Sequence, residues 1–351
     1  MTHNVNLFHP TYKREPFWWE ASCPTDEYSE ALPSSTDVLV VGSGYAGLSA
    51  ALELIRAGLH VTVVDALTFG EGASSRSGGG VSAGVNIGKG ISGGPGQSKK
   101  FAKDSLLLKK LLVESLSAYE LIEKLVKEEN IECYFEQRGR FIGAVNQQHY
   151  EEMKVKVDYL NEMIKLGARL IPQAEQHKEI GSSFYCGGMV IEKAAKLHPS
   201  LFHRGLLNTC HKEGVKLCSR TRVERIKRSG HKFEIITENG KSKSEHVIIA
   251  TNGYTGDLSP FLRKHIVPIS SQIIVTENLP EELAAELIPN GRTISESSRI
   301  TSYYRLLPGN RRVMYGGRAR FNSIHPDISA HLLHNMMIKR WPQIKDRKSV
   351  V

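Results

Sequence analysis

Apolar residues along the 351-residue chain change their spacing several times, and each change marks an element. From Asp37 the run DVLVV places four apolar residues in succession, Val38 to Val41, which suits a strand buried on both faces. Ala46 to Ala57 is rich in Ala and Leu and reads as a helix, with Gly58 where a C-cap belongs. Val61 to Val64 is a second apolar run, ending at Asp65. Strand, helix and strand in so short a span predict a parallel βαβ unit. Further on the apolar spacing lengthens to three and four residues. Leu112, Leu116, Tyr119, Ile122 and Val126, then Met153, Val157, Leu160 and Ile164, predict two amphipathic helices. Arg140 to Val145, between them, reads as a strand. A third helix is expected over Leu201 to Glu213, stopped by Gly214. VERIKR, KFEIIT and SEHVIIA then predict three strands, joined at Ser229-Gly230 and at Glu238-Asn239-Gly240, a hairpin signal. Residues 269–320 are strand-rich, and a last helix is expected from about Ile328 to Trp341.

This order predicts an α/β fold, α+β overall: a Rossmann-like βαβ core with a β-meander, plus an interleaved substrate domain built on an antiparallel sheet. The expected division is an irregular lead-in over 1–36, a nucleotide-binding domain from 37–100 and 190–260, and a substrate domain from 101–189 and 261–325. A terminal helix and basic tail then occupy 326–351.

Two glycine-containing stretches carry the candidate chemistry. Gly42-Ser43-Gly44-Tyr45-Ala46-Gly47 is a G-x-G-x-x-G between the first predicted strand and its helix, the context that gives this pattern meaning. Gly42 permits the tight turn, Gly44 admits a pyrophosphate to the backbone, and Gly47 lets helix and strand pack closely. The exposed N–H groups and the dipole at the helix N-terminus suit phosphate charge. Asp65, with Ala66 beside it, ends the second strand 18 residues past Gly47 and can accept hydrogen bonds from a ribose diol. An adenine dinucleotide follows, NAD and FAD both being open at this point. The second stretch runs from Gly70 to Gly96, where eleven of 27 residues are glycine, which by composition alone resembles a linker. Yet Gly72-Ala73-Ser74-Ser75-Arg76-Ser77-Gly78-Gly79 combines hydroxyl donors, a fixed cation and bare backbone, a set suited to a diphosphate and the edge of a planar ring. Val81 to Gly96 is expected to pass beside that ring and leave as a mobile loop.

Composition narrows the partners. The formal charge of +9 is dispersed, with its densest cluster, Lys339, Arg340, Lys345, Arg347 and Lys348, in the terminal helix and tail, so nucleic acid is not expected. Five cysteines without C-x-x-C spacing imply neither a disulfide framework nor a metal site. No stretch approaches the length of a spanning helix and no leader is evident, so the expected compartment is the cytoplasm.

GASSRSGG together with the fingerprint and the acidic strand end resembles the FAD-dependent D-amino-acid oxidase family, on the branch of the gamma-glutamylputrescine oxidoreductases. Ser77 stands where that branch commonly has asparagine. FWWEAS before the first strand, LHPSLFHRGL, TRVERI, VIIATNGYT, IVPISSQIIVTENL and YYRLLPGNRRVMYGGRARF follow in the order of the family, so the likeness extends from about Phe17 to Trp341. The resemblance implies FAD, held non-covalently because GASSRSGG offers no histidine or cysteine. It places the backbone around Val223 against the adenine, and Thr251, Asn252 and Gly253 over the cofactor. It also implies oxidation of a C–N bond in an amine or amino acid by hydride transfer to flavin N5, with oxygen or a respiratory acceptor completing the cycle. The protein's share would be orientation, exclusion of water and stabilisation of the reduced flavin's negative charge. Tyr254, Tyr304 and Arg305 are the substrate-side candidates, Arg305 as a bidentate carboxylate partner. Trp18 and Trp19 are expected as packing residues, and His198 and His203 as structural. Family members continue beyond the helix ending at Trp341, with a further strand and a helix aimed at the flavin N1–C2=O region, whereas this chain ends WPQIKDRKSVV. The expectation is a chain shortened at its C-terminus, in which FAD retention and hydride transfer are weakened. A catalytically silent flavoprotein remnant is then the alternative to an active oxidoreductase, with an NAD-dependent dehydrogenase third.

Overall fold

A computed structural model describes residues 7–83, 105–298, 300–317 and 325–351. The passage of Val81–Gly96 beside a ring, beyond Ala83, lies outside the described residues. So do the last part of the 37–100 span and the end of YYRLLPGNRRVMYGGRARF.

The apolar runs after Asp37 and His60 become β1 (Ser35–Val41) and β2 (Val61–Val64), joined by helix α1 (Tyr45–Arg56). They pair in parallel, and β2 pairs in parallel with β8 (Lys216–Cys218). On the other side β1 pairs in parallel with β11 (Gly240–Ile249). β11 continues antiparallel into β10 (Lys232–Thr237) and β9 (Val223–Ser229), the predicted meander. The six-stranded order is therefore β8-β2-β1-β11-β10-β9. Val38 to Val41 and Val61 to Val64 are buried in full, as strands covered on both faces must be.

The second sheet has seven strands in the order β12-β15-β14-β13-β4-β6-β5. Its members are β12 (Gln272–Val275), β15 (Val313–Gly317), β14 (Tyr303–Leu306), β13 (Thr293–Glu296), β4 (Arg140–Gly143), β6 (Gly188–Ile191) and β5 (Ala168–Ile171). All its pairs are antiparallel except β13 with β4. A boundary at residue 190 thus cuts through β6. A short two-stranded ladder links the sheets: β3 (Gly80–Ser82) pairs antiparallel with β7 (Ala194–Lys196).

The two amphipathic helices occupy Ser105–Glu128 and Gln147–Ile164, and Met153, Val157, Leu160 and Ile164 are the buried stripe of the second. The helix expected after LHPS spans Pro199–Lys212, with Pro199 in its first turn and the His198 ring capping Leu201 N at 3.2 Å. The last helix, Pro326–Arg340, packs on the opposite face of the seven-stranded sheet, where Phe141, Ile294, Tyr304, Tyr315, Leu333, Met337 and Trp341 form one buried cluster. Among the described residues, no helix is long and apolar enough to cross a membrane.

Candidate active site

The C-terminal ends of β1, β2 and β11 meet at the first glycine turn. Gly42 adopts φ +105°, and a Cβ on Gly47 would stand 1.9 Å from the Gly42 carbonyl oxygen, so α1 approaches β1 as closely as only glycine allows. Gly44 caps α1 without any side-chain acceptor, which leaves the first-turn N–H groups to another partner. Of these, Tyr45 N donates to Ser74 Oγ at 3.2 Å. Asp65 Oδ2 accepts from Ser43 N at 2.8 Å and from Ser43 Oγ at 2.6 Å, while Oδ1 takes Leu67 N at 3.0 Å, so this carboxylate closes the turn from the side of β2. His203 reaches the same turn from the Pro199–Lys212 helix, its Nε2 2.7 Å from Ser43 O, and burial lowers its pKa. Thr221 N donates to Asp65 O at 2.7 Å, which leads the chain into Val223, buried against Val41 and Val64. Ala250 N donates to Val41 O at 2.8 Å, and the side-chain position of Gly42 lies 2.9 Å from Ala250 O, so Thr251-Asn252-Gly253 abuts the fingerprint.

The second glycine stretch forms a 3-10 turn, Ala73–Arg76, after Gly72. Ser75 Oγ donates to Gly70 O, and accepts Trp19 Nε1 at 3.0 Å. Arg76 reaches across to the other glycine turn: its Nη2 donates to Tyr254 Oη at 3.0 Å, its Nε to Gly72 O at 3.3 Å, and its guanidinium covers Trp19 at 5.9 Å. Ser77 O accepts Trp18 Nε1 at 2.9 Å, and Ser77 Oγ accepts Gly79 N at 3.3 Å. Gly79, at φ +65°, presses against Leu197 O, where a Cβ would come within 2.3 Å. A Cβ on Gly78 would meet the Tyr303 ring at 2.8 Å. One side of this backbone is therefore bare to admit protein atoms. A cavity of about 330 Å³ borders the segment, lined among others by Trp18, Arg76, Ser271, Ile273, Met314 and Leu333.

The three substrate-side candidates part company. Tyr254 is 59% exposed and stands beside Arg76 at the open edge. Tyr304 is buried on the far face of β14, stacked on Tyr315 at 5.2 Å and edge-on to Trp341, with its hydroxyl against Tyr185. That placement removes it from the cradle. Tyr303, one residue earlier, faces the cradle and places its hydroxyl 3.0 Å from Ser271 Oγ. Arg305 also faces the cradle, but it is buried, and its hydrogen bonds go to backbone: Nη1 to Gly78 O at 3.4 Å, Gly79 O at 3.1 Å and Leu197 O at 2.8 Å, and Nε to Leu306 O at 3.3 Å. The expected bidentate grip on a carboxylate is corrected accordingly. Burial brings its pKa down to about 10, which still leaves it charged at neutral pH.

Sequence reasoning passed over Trp18 and Trp19 as packing residues, yet their indole N–H groups hold the second glycine stretch. The available signal was FWWEAS itself, two adjacent indoles next to an otherwise irregular lead-in. Tyr303 was missed because YYR offers two tyrosines and nothing local says which one faces inward.

The arrangement fits a dinucleotide: a helix N-terminus whose N-cap glycine supplies no side-chain acceptor, a turn that a Cβ would fill, a carboxylate at the end of β2, and a hydroxyl- and arginine-bearing segment alongside. A family model described as "FAD dependent oxidoreductase" (DAO) matches residues 37–350. The chain is 29% identical to gamma-glutamylputrescine oxidoreductase of Escherichia coli over 334 residues, 93% of this chain and 74% of that protein. It is 28% identical to a probable oxidoreductase, OrdL, of Rhizobium meliloti, covering 94% of this chain and 75% of the relative. Among solved structures, glycine oxidase from Geobacillus kaustophilus superposes with a TM-score of 0.71 at 17% identity, covering 91% of this chain and 81% of that one. L-proline dehydrogenase from P. horikoshii gives 0.71 at 16% identity, covering 91% and 80%.

Proposed function

The chain belongs to the DAO family of FAD-dependent oxidoreductases, and from that premise we propose that it oxidises a C–N bond of a small amine or amino acid, with a gamma-glutamylated amine as the first candidate. The observation that carries this reading is the convergence of three separate segments. The α1 N-terminus, the Ser74–Gly79 stretch and the Thr251–Gly253 turn are joined by Tyr45 N to Ser74 and by Arg76 to Tyr254. Non-covalently bound FAD would supply the hydride acceptor. Gly42 to Gly47 and the first turn of α1 would hold its diphosphate, Asp65 its ribose, the backbone at Val223 its adenine, and Ser74 to Gly79 the remainder. Asp65 Oδ1, which among the described residues accepts Leu67 N alone, keeps acceptor capacity for a ribose hydroxyl while Oδ2 holds Ser43. Tyr254, exposed and fixed by Arg76, is the substrate-side group in this reading. We assign 37–100 and 190–260 to the FAD domain and 101–189 and 261–325 to the substrate domain, with the boundary at 190 moved past Ile191 so that β6 stays whole. Oxygen or a respiratory acceptor would reoxidise the flavin.

The test is to reconstitute the purified chain with FAD, record flavin absorbance after desalting, and add gamma-glutamylputrescine, sarcosine, glycine or D-alanine under anaerobic conditions. Retained flavin that bleaches with one of these supports the reading. A protein that retains flavin bleached by none of them refutes the proposed reaction.

A further inference from the structure

Three consecutive carbonyls of the second glycine stretch are drawn to one side. Ser77 O is held by Trp18 Nε1 at 2.9 Å, Gly78 O by Arg305 Nη1 at 3.4 Å, and Gly79 O by Arg305 Nη1 at 3.1 Å and Leu197 N at 2.8 Å. In a trans peptide the carbonyl and the following N–H point in opposite directions. The N–H groups of Gly78, Gly79 and Gly80 are therefore turned away from Trp18 and Arg305, although that of Gly79 also meets Ser77 Oγ at 3.3 Å. The guanidinium that does the holding packs over the Trp18 ring at 5.4 Å, and both side chains are 2% exposed. A buried cation bonded to carbonyls alone is an unusual solution for glue, because desolvating it costs several kcal/mol that a neutral donor would avoid.

We propose that Arg305, seconded by Trp18, is a positioning residue that turns the N–H groups of Gly78 to Gly80 toward a bound flavin and sets a fixed positive charge behind them. The proposal rests on the reading that this stretch holds FAD. Peptide N–H groups and a cation behind them stabilise negative charge in a low-dielectric site, and reduction adds negative charge to a flavin. The arrangement should accordingly favour reduced over oxidised flavin, as well as shaping the stretch in the apo chain.

Two measurements test the two halves. In the apo protein, hydrogen exchange across residues 72–80 should accelerate at least tenfold in Arg305→Met and in Trp18→Phe. Unchanged exchange in both overturns the clamp. In the FAD-reconstituted protein, Arg305→Met should lower the flavin midpoint potential by about 30 mV, a tenfold loss of preference for the reduced form in a two-electron couple, whereas Arg305→Lys should keep it near wild type and Trp18→Phe, which frees the Ser77 carbonyl but leaves the charge in place, should lower it by less. An Arg305→Met potential equal to wild type overturns the electrostatic half. Should Arg305→Met fail to fold, a fall of about 30 mV in the charge-retaining Arg305→Lys overturns that half instead. A wild-type chain that takes up no FAD sinks the functional reading, and the apo exchange result still decides the clamp.

Discussion

Replacing Arg340 by methionine removes one half of a buried ion pair that ties the last helix to the seven-stranded sheet. Arg340 donates to Glu296 through Nη2 at 2.9 and 2.8 Å and through Nε at 3.2 Å. The two side chains are 9% and 1% exposed. Without Arg340, Glu296 keeps Tyr185 Oη at 3.1 Å, Ser298 Oγ at 2.7 Å and Ser302 N at 3.3 Å, all neutral donors. Breaking a buried pair costs about 3–5 kcal/mol, and the three surviving donors put Arg340→Met near about 3. Glu296→Gln leaves the guanidinium its Met336 O partner at 3.0 Å and the Phe184 face at 4.5 Å. It also retains an acceptor oxygen, so about 2 kcal/mol is expected. The double variant removes both charges and should lose about 2 kcal/mol rather than the sum of about 5, a coupling of about 3 kcal/mol. Urea unfolding at pH 7 followed by far-UV circular dichroism, as a double-mutant cycle, measures this. Additivity within about 0.5 kcal/mol would refute the argument that the pair acts as one unit.

Other consequences are open to direct measurement. Gly47→Ala puts a methyl 1.9 Å from Gly42 O, so the helix must move off the turn; a stability loss of about 1–3 kcal/mol and weaker FAD binding are expected in thermal melts and fluorescence titration. His198 is buried and its pKa falls from 6.5 to about 4 through desolvation first and the Arg305 charge second. The unfolded chain therefore binds the proton more readily, stability is full above pH 6.5 and declines as pH drops toward 4, by up to about 3 kcal/mol. His198→Asn, which can still cap Leu201, should flatten that slope in pH-dependent urea unfolding, and an unchanged slope would exclude His198 as its source. Tyr304→Phe should leave steady-state KM and kcat within about twofold, because the ring sits on the far face of β14; a stability loss of about 1 kcal/mol is expected from its lost hydroxyl contact. Tyr254→Phe should do the reverse, raising KM with stability within about 0.5 kcal/mol, as its side chain is largely exposed.

Local patterns were enough for the βαβ unit, the meander and the helices, because apolar periodicity and glycine turns are decided within a few residues. The G-x-G-x-x-G turn and Asp65 could be paired from sequence because α1 carries the chain a predictable distance between β1 and β2. The second glycine stretch could be recognised as a ligand candidate from its serines and arginine, although what shapes it could not. Trp18 lies 59 residues from Ser77, and Arg305 lies 226 from Gly79, so their bonds exist only once the two sheets are placed together. The assignment within Tyr303-Tyr304-Arg305 failed for a related reason. Side chains on a strand alternate between faces, and where one face is wet the polar positions reveal the parity. Tyr304, Arg305 and Leu306 are all buried, because the last helix covers one face of β14 and the cradle the other. With no wet face there is no alternation to read, and only tertiary packing decides that Tyr304 belongs to the core while its two neighbours face the second glycine stretch.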